Sequence, residues 1–103
     1  MVSARSCAMA FNRWADAELE AARAQLKSSQ SQVVARQAEA EFSKTTNERW
    51  RDSPKGVVSE QERESKKADY ESAVARLYAA SAQVSLDKSK EDQYTALADF
   101  KAV

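Results

Sequence analysis

Several kinds of residue are scarce in this chain of 103 residues. It contains no histidine, and it has one cysteine, one proline, one glycine and an aromatic fraction of only 8%. Without histidine, a histidine-based metal site and a cysteine–histidine nucleophile are excluded within this sequence. The single cysteine, Cys7, has no disulfide partner in the chain, and we interpret it as an incidental thiol. We predict no metal-binding, cofactor-binding or catalytic residues.

Long apolar runs and a dominant charge are also missing. No stretch approaches the ~20 apolar residues of a membrane-spanning helix, and no export signal is visible at the beginning of the sequence. The 16 basic and 16 acidic residues cancel, and no basic stripe with interleaved aromatic residues occurs. Nucleic acid is therefore not an expected partner.

Helix-forming residues are abundant. The apolar fraction of 43% comes largely from alanine, and charged residues make up 31%. With helical periodicity, this mixture is typical of long helices and coiled coils.

A helix-breaking segment lies near the middle of the chain. There the only proline, Pro54, and the only glycine, Gly56, stand two positions apart. Because proline lacks the amide that a helix interior needs and glycine allows unusual backbone angles, this segment predicts the end of one helix and a reversal of the chain.

The start of a second helix is predicted directly after this reversal. Ser59 and Glu62 have the spacing of a capping box, in which the serine hydroxyl accepts from the Glu62 amide and the carboxylate accepts from the Ser59 amide. Glu60 and Glu64 complete an acidic cluster. Acid catalysis would need a pocket that shifts the pKa of a carboxyl, and two paired helices offer none. We interpret the cluster as solvated capping and predict that the protein is not an enzyme.

The composition along the chain predicts five segments. They are a poorly ordered lead-in over 1–15, a first helix over 16–51, a tip turn over 52–58, a second helix over 59–95 and a distinct C-terminal stretch over 96–103. Asp16 is then in the first turns of the first helix, and Lys88 and Lys90 are in the last turns of the second. This arrangement suits the helix dipole.

Apolar residues at seven-residue spacing predict how the two helices pair. We call these residues the seam: Leu26, Val33 and Ala40 in the first helix, and Tyr70, Leu77 and Val84 in the second. In an antiparallel pair the numbers of facing residues have a constant sum. Leu26 with Val84, Val33 with Leu77 and Ala40 with Tyr70 meet this condition, with the midpoint at Lys55 in the turn. We therefore predict an all-α fold, an antiparallel two-helix coiled-coil hairpin.

Four stretches of the sequence resemble a known family. They are Ala17–Leu26, Gly56–Glu62, Ala79–Val84 and Asp99–Val103, and together they look like the α-helical hairpin of periplasmic adaptor subunits. These proteins, the hemolysin-D-like membrane fusion proteins, serve tripartite efflux pumps. The resemblance covers about residues 16–103. It implies a non-enzymatic transport component that bridges an inner-membrane transporter and an outer-membrane channel through protein contacts.

The resemblance also implies partners and a location. The hairpin tip would meet the outer-membrane channel, the sides would meet neighbouring adaptor copies, and other adaptor domains would meet the inner-membrane transporter. The location would be periplasmic and associated with the inner membrane. The stretch 96–103 resembles the start of the second half of a lipoyl-like β-domain, which implies a vestigial strand there. The chain would then represent one domain of an adaptor, as a fragment or a truncated product.

The tip of the family's hairpin carries an arginine, a leucine four residues on and a serine seven further. Ser59 matches the serine, whereas Asp52 and Glu48 stand in place of the leucine and the arginine. Partner-binding residues at the tip are therefore expected among Ser59, Val58, Gly56, Trp50, Arg49 and Arg51.

Other interpretations of the same residues remain open. Ser59 is a helix N-cap, a channel contact or both. Trp50 packs over the Pro54 turn or serves as an exposed anchor, and Arg49 and Arg51 compensate the helix dipole or contact a partner. The chain as a whole could be a generic antiparallel coiled-coil spacer or dimerisation module that is unrelated to efflux.

Overall fold

The computed structural model describes residues 4–100, and it consists of two long helices. Helix α1 is Ala4–Arg51, with 48 residues, and helix α2 is Glu60–Asp99, with 40 residues. No strand is present in residues 4–100, where Lys55 and Val58 form an isolated bridge within the turn. The predicted all-α, two-helix coiled-coil hairpin is confirmed. Neither helix, over the described residues, is long and apolar enough to cross a membrane.

The chain forms two compact units. The first, which we call the base unit, is Met1–Gln30 with Gln83–Val103, and the second, the tip unit, is Ser31–Ala82. Each unit contains one segment of α1 and one of α2.

The base unit is held by aromatic contacts between its two helical segments. The rings of Phe11 and Phe100 meet edge to face with centroids 6.5 Å apart, and those of Trp14 and Tyr94 do so at 6.2 Å. Ala15, which follows Trp14 on α1, has no exposed surface. Edge-to-face pairs at such distances add favourable energy beyond their buried area. They fix the antiparallel pairing of the helices in this unit.

The prediction of a poorly ordered lead-in over 1–15 is wrong for residues 4–15. Helix α1 begins at Ala4 rather than near Asp16, and no acidic residue lies in its first turn. The aromatic contacts explain the difference, because Phe11 and Trp14 contact Phe100 and Tyr94, which lie about 80 or more positions away in sequence. Residues 1–3 lie outside the described residues.

The second helix also extends beyond its predicted end at residue 95. It continues to Asp99, and the amide of Phe100 still donates to the carbonyl oxygen of Ala96 over 3.1 Å. The vestigial strand expected over 96–103 is therefore wrong for 96–99, and residues 101–103 lie outside the described part. Because the helix is longer, Lys88 and Lys90 are not in its last turn, which has no basic residue.

The tip unit has a narrow apolar interior. Ala40 and Ala73 are buried, while the seam residues Val33, Tyr70 and Leu77 are half-buried. In the base unit, the seam residue Leu26 is buried and Val84 is half-buried. Because alanine buries little apolar area, the hydrophobic stabilisation per helical turn is small.

Besides Val57 in the turn, three large apolar side chains on the helices of the tip unit are mostly exposed. The exposed fractions are 68% for Val34, 74% for Phe42 and 71% for Tyr78. Phe42 borders a small groove with Ser43 and Thr46, whereas Tyr78 borders a different groove with Tyr70, Val74 and Leu77. The tip unit therefore presents apolar side chains to solvent at more than one place.

Candidate functional site

The turn between the helices, residues 52–59, is the candidate interaction site, and it begins where α1 ends. At that end the amide of Asp52 donates to the carbonyl oxygen of Glu48 over 3.0 Å, and the amide of Ser53 donates to the carbonyl oxygen of Trp50 over 3.4 Å. The Ser53 hydroxyl also donates to the carbonyl oxygen of Arg49 at 2.7 Å. These bonds satisfy carbonyl groups that the last helical turn leaves without amide partners.

The chain then reverses in a hydrogen-bonded turn. The amide of Val57 donates to the carbonyl oxygen of Pro54 over 3.2 Å, and Gly56 has a φ angle of +89°. A side chain at position 56 would meet no atom within 4 Å, so the requirement for glycine comes from the backbone angle. The sequence signals of Pro54 and Gly56 correctly identify the place where the chain turns.

The predicted capping box is confirmed at the start of α2. The amide of Glu62 donates to the Ser59 hydroxyl oxygen over 3.1 Å, and the amide of Ser59 donates to a Glu62 carboxylate oxygen over 3.2 Å. Glu60 and Glu62 lie in the first turn of the helix, as expected. The capping box satisfies two backbone amides at this end and fixes the direction in which the chain enters α2.

Two basic side chains of α2 reach back across the turn to the end of α1. Nη2 of Arg63 donates to the carbonyl oxygen of Ser53 over 2.6 Å, while its Nη1 lies 3.5 Å from a carboxylate oxygen of Glu60. Nζ of Lys66 stands 5.3 Å from the ring centroid of Trp50. That distance is within the range of a cation–π interaction. The half-buried Trp50 therefore serves as a platform for a lysine of the other helix.

The predicted tip residues differ in how far they are available to a partner. Arg49, Arg51, Gly56 and Ser59 are exposed, whereas Trp50 and Val58 are half-buried. The turn brings these residues close together around one end of the tip unit. The exposed Nε of Arg51 forms an ion pair with Asp52 at 3.2 Å, which at such exposure contributes little to stability.

Three residues whose exposure or contacts stand out at the tip are absent from the predicted set. Val57 is 69% exposed at the turn, and Arg63 and Lys66 make the contacts across it. For Arg63 a signal was available, because a long side chain one helical turn after the N-cap can reach back over the turn. No local signal pairs Lys66 with Trp50, since their contact depends on helix pairing.

A shallow groove of about 460 Å³ lies beside the turn. Its lining includes three cationic and two anionic side chains and one amide: Arg51, Arg63, Lys67, Glu60, Glu64 and Asn47. Mixed charges on an open surface suit the polar rim of a protein interface. The apolar centre of such an interface would have to come from Val57 and its neighbours.

Comparison with known proteins provides no relative. No protein-family model, curated protein or solved structure matches this chain.

Proposed function

We propose that this chain acts through protein contacts at the hairpin tip, as the α-hairpin of a periplasmic adaptor in a tripartite efflux pump. In this role the tip contacts an outer-membrane channel, and the sides contact neighbouring adaptor copies. The proposal rests on the resemblance of the sequence to such hairpins and on a fold that agrees with it. It includes no catalytic step.

The observation that carries the proposal is the construction of the turn around Val57. The capping box at Ser59, the turn bond from Val57 to Pro54 and the contact of Arg63 with Ser53 hold the backbone on both sides of it. Val57 nevertheless leaves 69% of its surface in solvent. A preorganised backbone lowers the entropic cost of binding, and an exposed apolar residue at its apex supplies an anchor.

The test measures binding of the chain to the outer-membrane channel protein of the same organism, reconstituted in detergent micelles. Val57→Asp should weaken this binding at least tenfold, because it places a charge at the centre of the contact. Val34→Asp is the matched control, since Val34 is 68% exposed but lies in the middle of α1, away from the turn. This control variant should bind as the wild type does.

Circular dichroism of all three proteins establishes that helicity is retained. Absence of wild-type binding, or an equal loss in the Val57→Asp and Val34→Asp variants, would count against the tip as the site of contact.

The exposed aromatic residues favour a second candidate function, a self-associating coiled-coil module that is unrelated to efflux. Phe42 and Tyr78 are 74% and 71% exposed, and side chains of this size contribute strongly when an interface covers them. Sedimentation equilibrium distinguishes the candidates. Stable oligomers that a Phe42→Ser, Tyr78→Ser variant abolishes, together with no affinity for the channel, would favour the module.

A further inference from the structure

A polar cluster occupies the interior of the base unit, between α1 and α2. The hydroxyl of Ser29 donates to Oδ2 of Asp87, 58 positions away in sequence, and the Gln83 amide donates to Oδ1 over 3.0 Å. The Ser29 hydroxyl oxygen also lies 3.0 Å from the carbonyl oxygen of Gln25. Asp87 is 1% exposed and Ser29 is 4% exposed. Among the described residues, Asp87 has the largest side chain that is fully buried.

Hydrogen bonds keep the buried carboxyl ionised. The hydrogen bond from the Ser29 hydroxyl is the main cause that holds the pKa of Asp87 below its ordinary value. Hydrogen bonds from the Gln83 and Gln25 side chains and the positive charge of Lys90 lower the pKa further. Burial raises the pKa of this carboxyl, but its effect is smaller than that of the Ser29 hydrogen bond, because only two helices shield the carboxylate from bulk water. The cluster is therefore a charged group whose partners are neutral donors at fixed positions.

The leucines of the base unit do not distinguish neighbouring alignments of the helices, whereas the aromatic pairs Phe11–Phe100 and Trp14–Tyr94 form in the observed one. Leu19 and Leu26 are one heptad apart on the same stripe of α1. A slip of α2 by one heptad toward the beginning of α1 therefore replaces one leucine by another in the same place. The same slip replaces Ser29 by Ala22, which offers no donor to the carboxylate of Asp87.

The opposite slip behaves differently. It brings Arg36, a possible ionic partner, to the place of Ser29. Either slip would displace Arg63 from Ser53 and Lys66 from Trp50, so the contacts at the turn do not distinguish the two directions. The slip toward Ala22 is therefore the alignment that the polar cluster excludes.

We propose that the buried Ser29–Asp87 hydrogen bond acts with the aromatic pairs to set the register in which α1 and α2 pair in the base unit. A buried polar group costs free energy wherever it lacks its partner, so it penalises alignments that the leucines accept equally well. Single polar residues in coiled-coil interiors are known to specify register in this way, at some cost in stability. Relative to an apolar pair at the same place, the buried pair acts on specificity rather than on the total stability of the hairpin, and it does so whatever the hairpin binds.

Distances between two spin labels test the proposal in the full chain. Cys7→Ser provides the background, because Cys7 is the single cysteine and is exposed. Labels are attached through Asp16→Cys on α1 and Leu86→Cys on α2, both at exposed positions of the base unit. A slip by one heptad moves one helix along the other by about 10 Å. Pulsed dipolar spectroscopy resolves such a change.

The decisive variant is Ser29→Ala with Asp87→Leu, which makes the site apolar. We expect it to remain helical and to melt no earlier than the parent, yet to show a second, shorter distance population, because the slip carries position 86 toward position 16 along α1. Ser72→Ala with Arg76→Leu is the matched control. It removes an exposed hydrogen bond of 3.1 Å within α2 and should keep the single distance of the parent.

Asp87→Asn retains an acceptor for Ser29 and should also keep the single distance. A single parental distance in the apolar variant would overturn the proposal. Loss of helicity in that variant would overturn it too, because the pair would then be needed for folding rather than for choosing an alignment. A second distance in Asp87→Asn would show that the hydrogen bond is not the basis of register.

Discussion

Nη2 of Arg63 donates a hydrogen bond of 2.6 Å to the carbonyl oxygen of Ser53, and this bond ties the first turn of α2 to the chain just beyond α1. The Arg63 side chain is only 20% exposed. Its Nε is buried without a partner among the described residues. Arginine suits this position because its guanidinium group reaches the turn. One of its nitrogens, Nε, is left unsatisfied, which lowers the net gain.

Replacing Arg63 by methionine keeps the aliphatic stem and removes both hydrogen-bonding nitrogens. The free energy of unfolding should fall by about 1 kcal/mol, since the lost bond to Ser53 is partly offset by removal of the unsatisfied Nε. Arg76→Met is the control, because Arg76 bonds only within its own helix at an exposed site. It should cost less than about 0.5 kcal/mol. Urea unfolding followed by circular dichroism measures both, and equal costs would contradict the role given to Arg63.

Ser59→Ala should lower the free energy of unfolding by about 1 kcal/mol, because the Glu62 amide loses its acceptor at the helix start. Ser65→Ala is the matched control. Ser65 is exposed in the interior of α2, where alanine is the better helix former, so this variant should be neutral or slightly stabilising. Thermal unfolding of the two variants measures both changes in stability. A loss of the same size at position 65 would show that capping is not the cause.

Gly56→Ala should destabilise the chain by roughly 1–2 kcal/mol, because alanine resists the φ angle of +89°. The cost comes from the backbone alone, since a Cβ at this position meets nothing within 4 Å. Gly56→Asn should cost less, as asparagine tolerates this region better than alanine. Chemical unfolding measures both variants. Equal stability of the alanine variant and the wild type would mean that the turn readily adopts another conformation.

The contribution of Asp87 should depend on pH in a defined direction. Its folded-state pKa lies below the ordinary value of 3.8, so its ionised form contributes stability that is complete above about pH 4 and is lost as the pH falls through the folded pKa. The difference in melting temperature between the wild type and Asp87→Asn should therefore be constant at neutral pH. It should shrink progressively in more acidic buffers.

The comparison of these two proteins cancels the effect of the other carboxyl groups, which both contain. Lys90 is the charged residue that acts on Asp87, and Lys90→Gln should alter the profile only slightly, because hydrogen bonds are the larger cause. A difference that stays constant into strong acid would contradict the lowered pKa.

The melting temperature of the isolated chain should rise by several degrees for a tenfold increase in protein concentration. Among residues 4–100 the buried apolar side chains are few and mostly alanine, and Phe42 and Tyr78 remain available for contacts between copies. Association stabilises the folded state by mass action. Calorimetry across a range of concentrations measures the effect, and a high melting temperature that does not change would show that one copy is sufficient.

The sequence alone determined the features that depend on neighbouring residues. Pro54, Gly56 and the pairing of Ser59 with Glu62 specify the turn and the start of α2, because each acts on backbone angles or amides within three positions. The seven-residue spacing of the seam predicts the fold class for a similar reason, since helical periodicity is a local property. The tip was therefore identifiable before any contact was known.

Only the tertiary structure decided where α1 begins and what lies inside the base unit. Helix α1 starts at Ala4 because Phe11 and Trp14 meet Phe100 and Tyr94. An aspartate such as Asp87 would ordinarily be assigned to solvent, and its burial depends on Ser29, 58 positions away. Such contacts arise from the alignment of two helices, and their partners are too far apart in sequence for any short stretch to contain both.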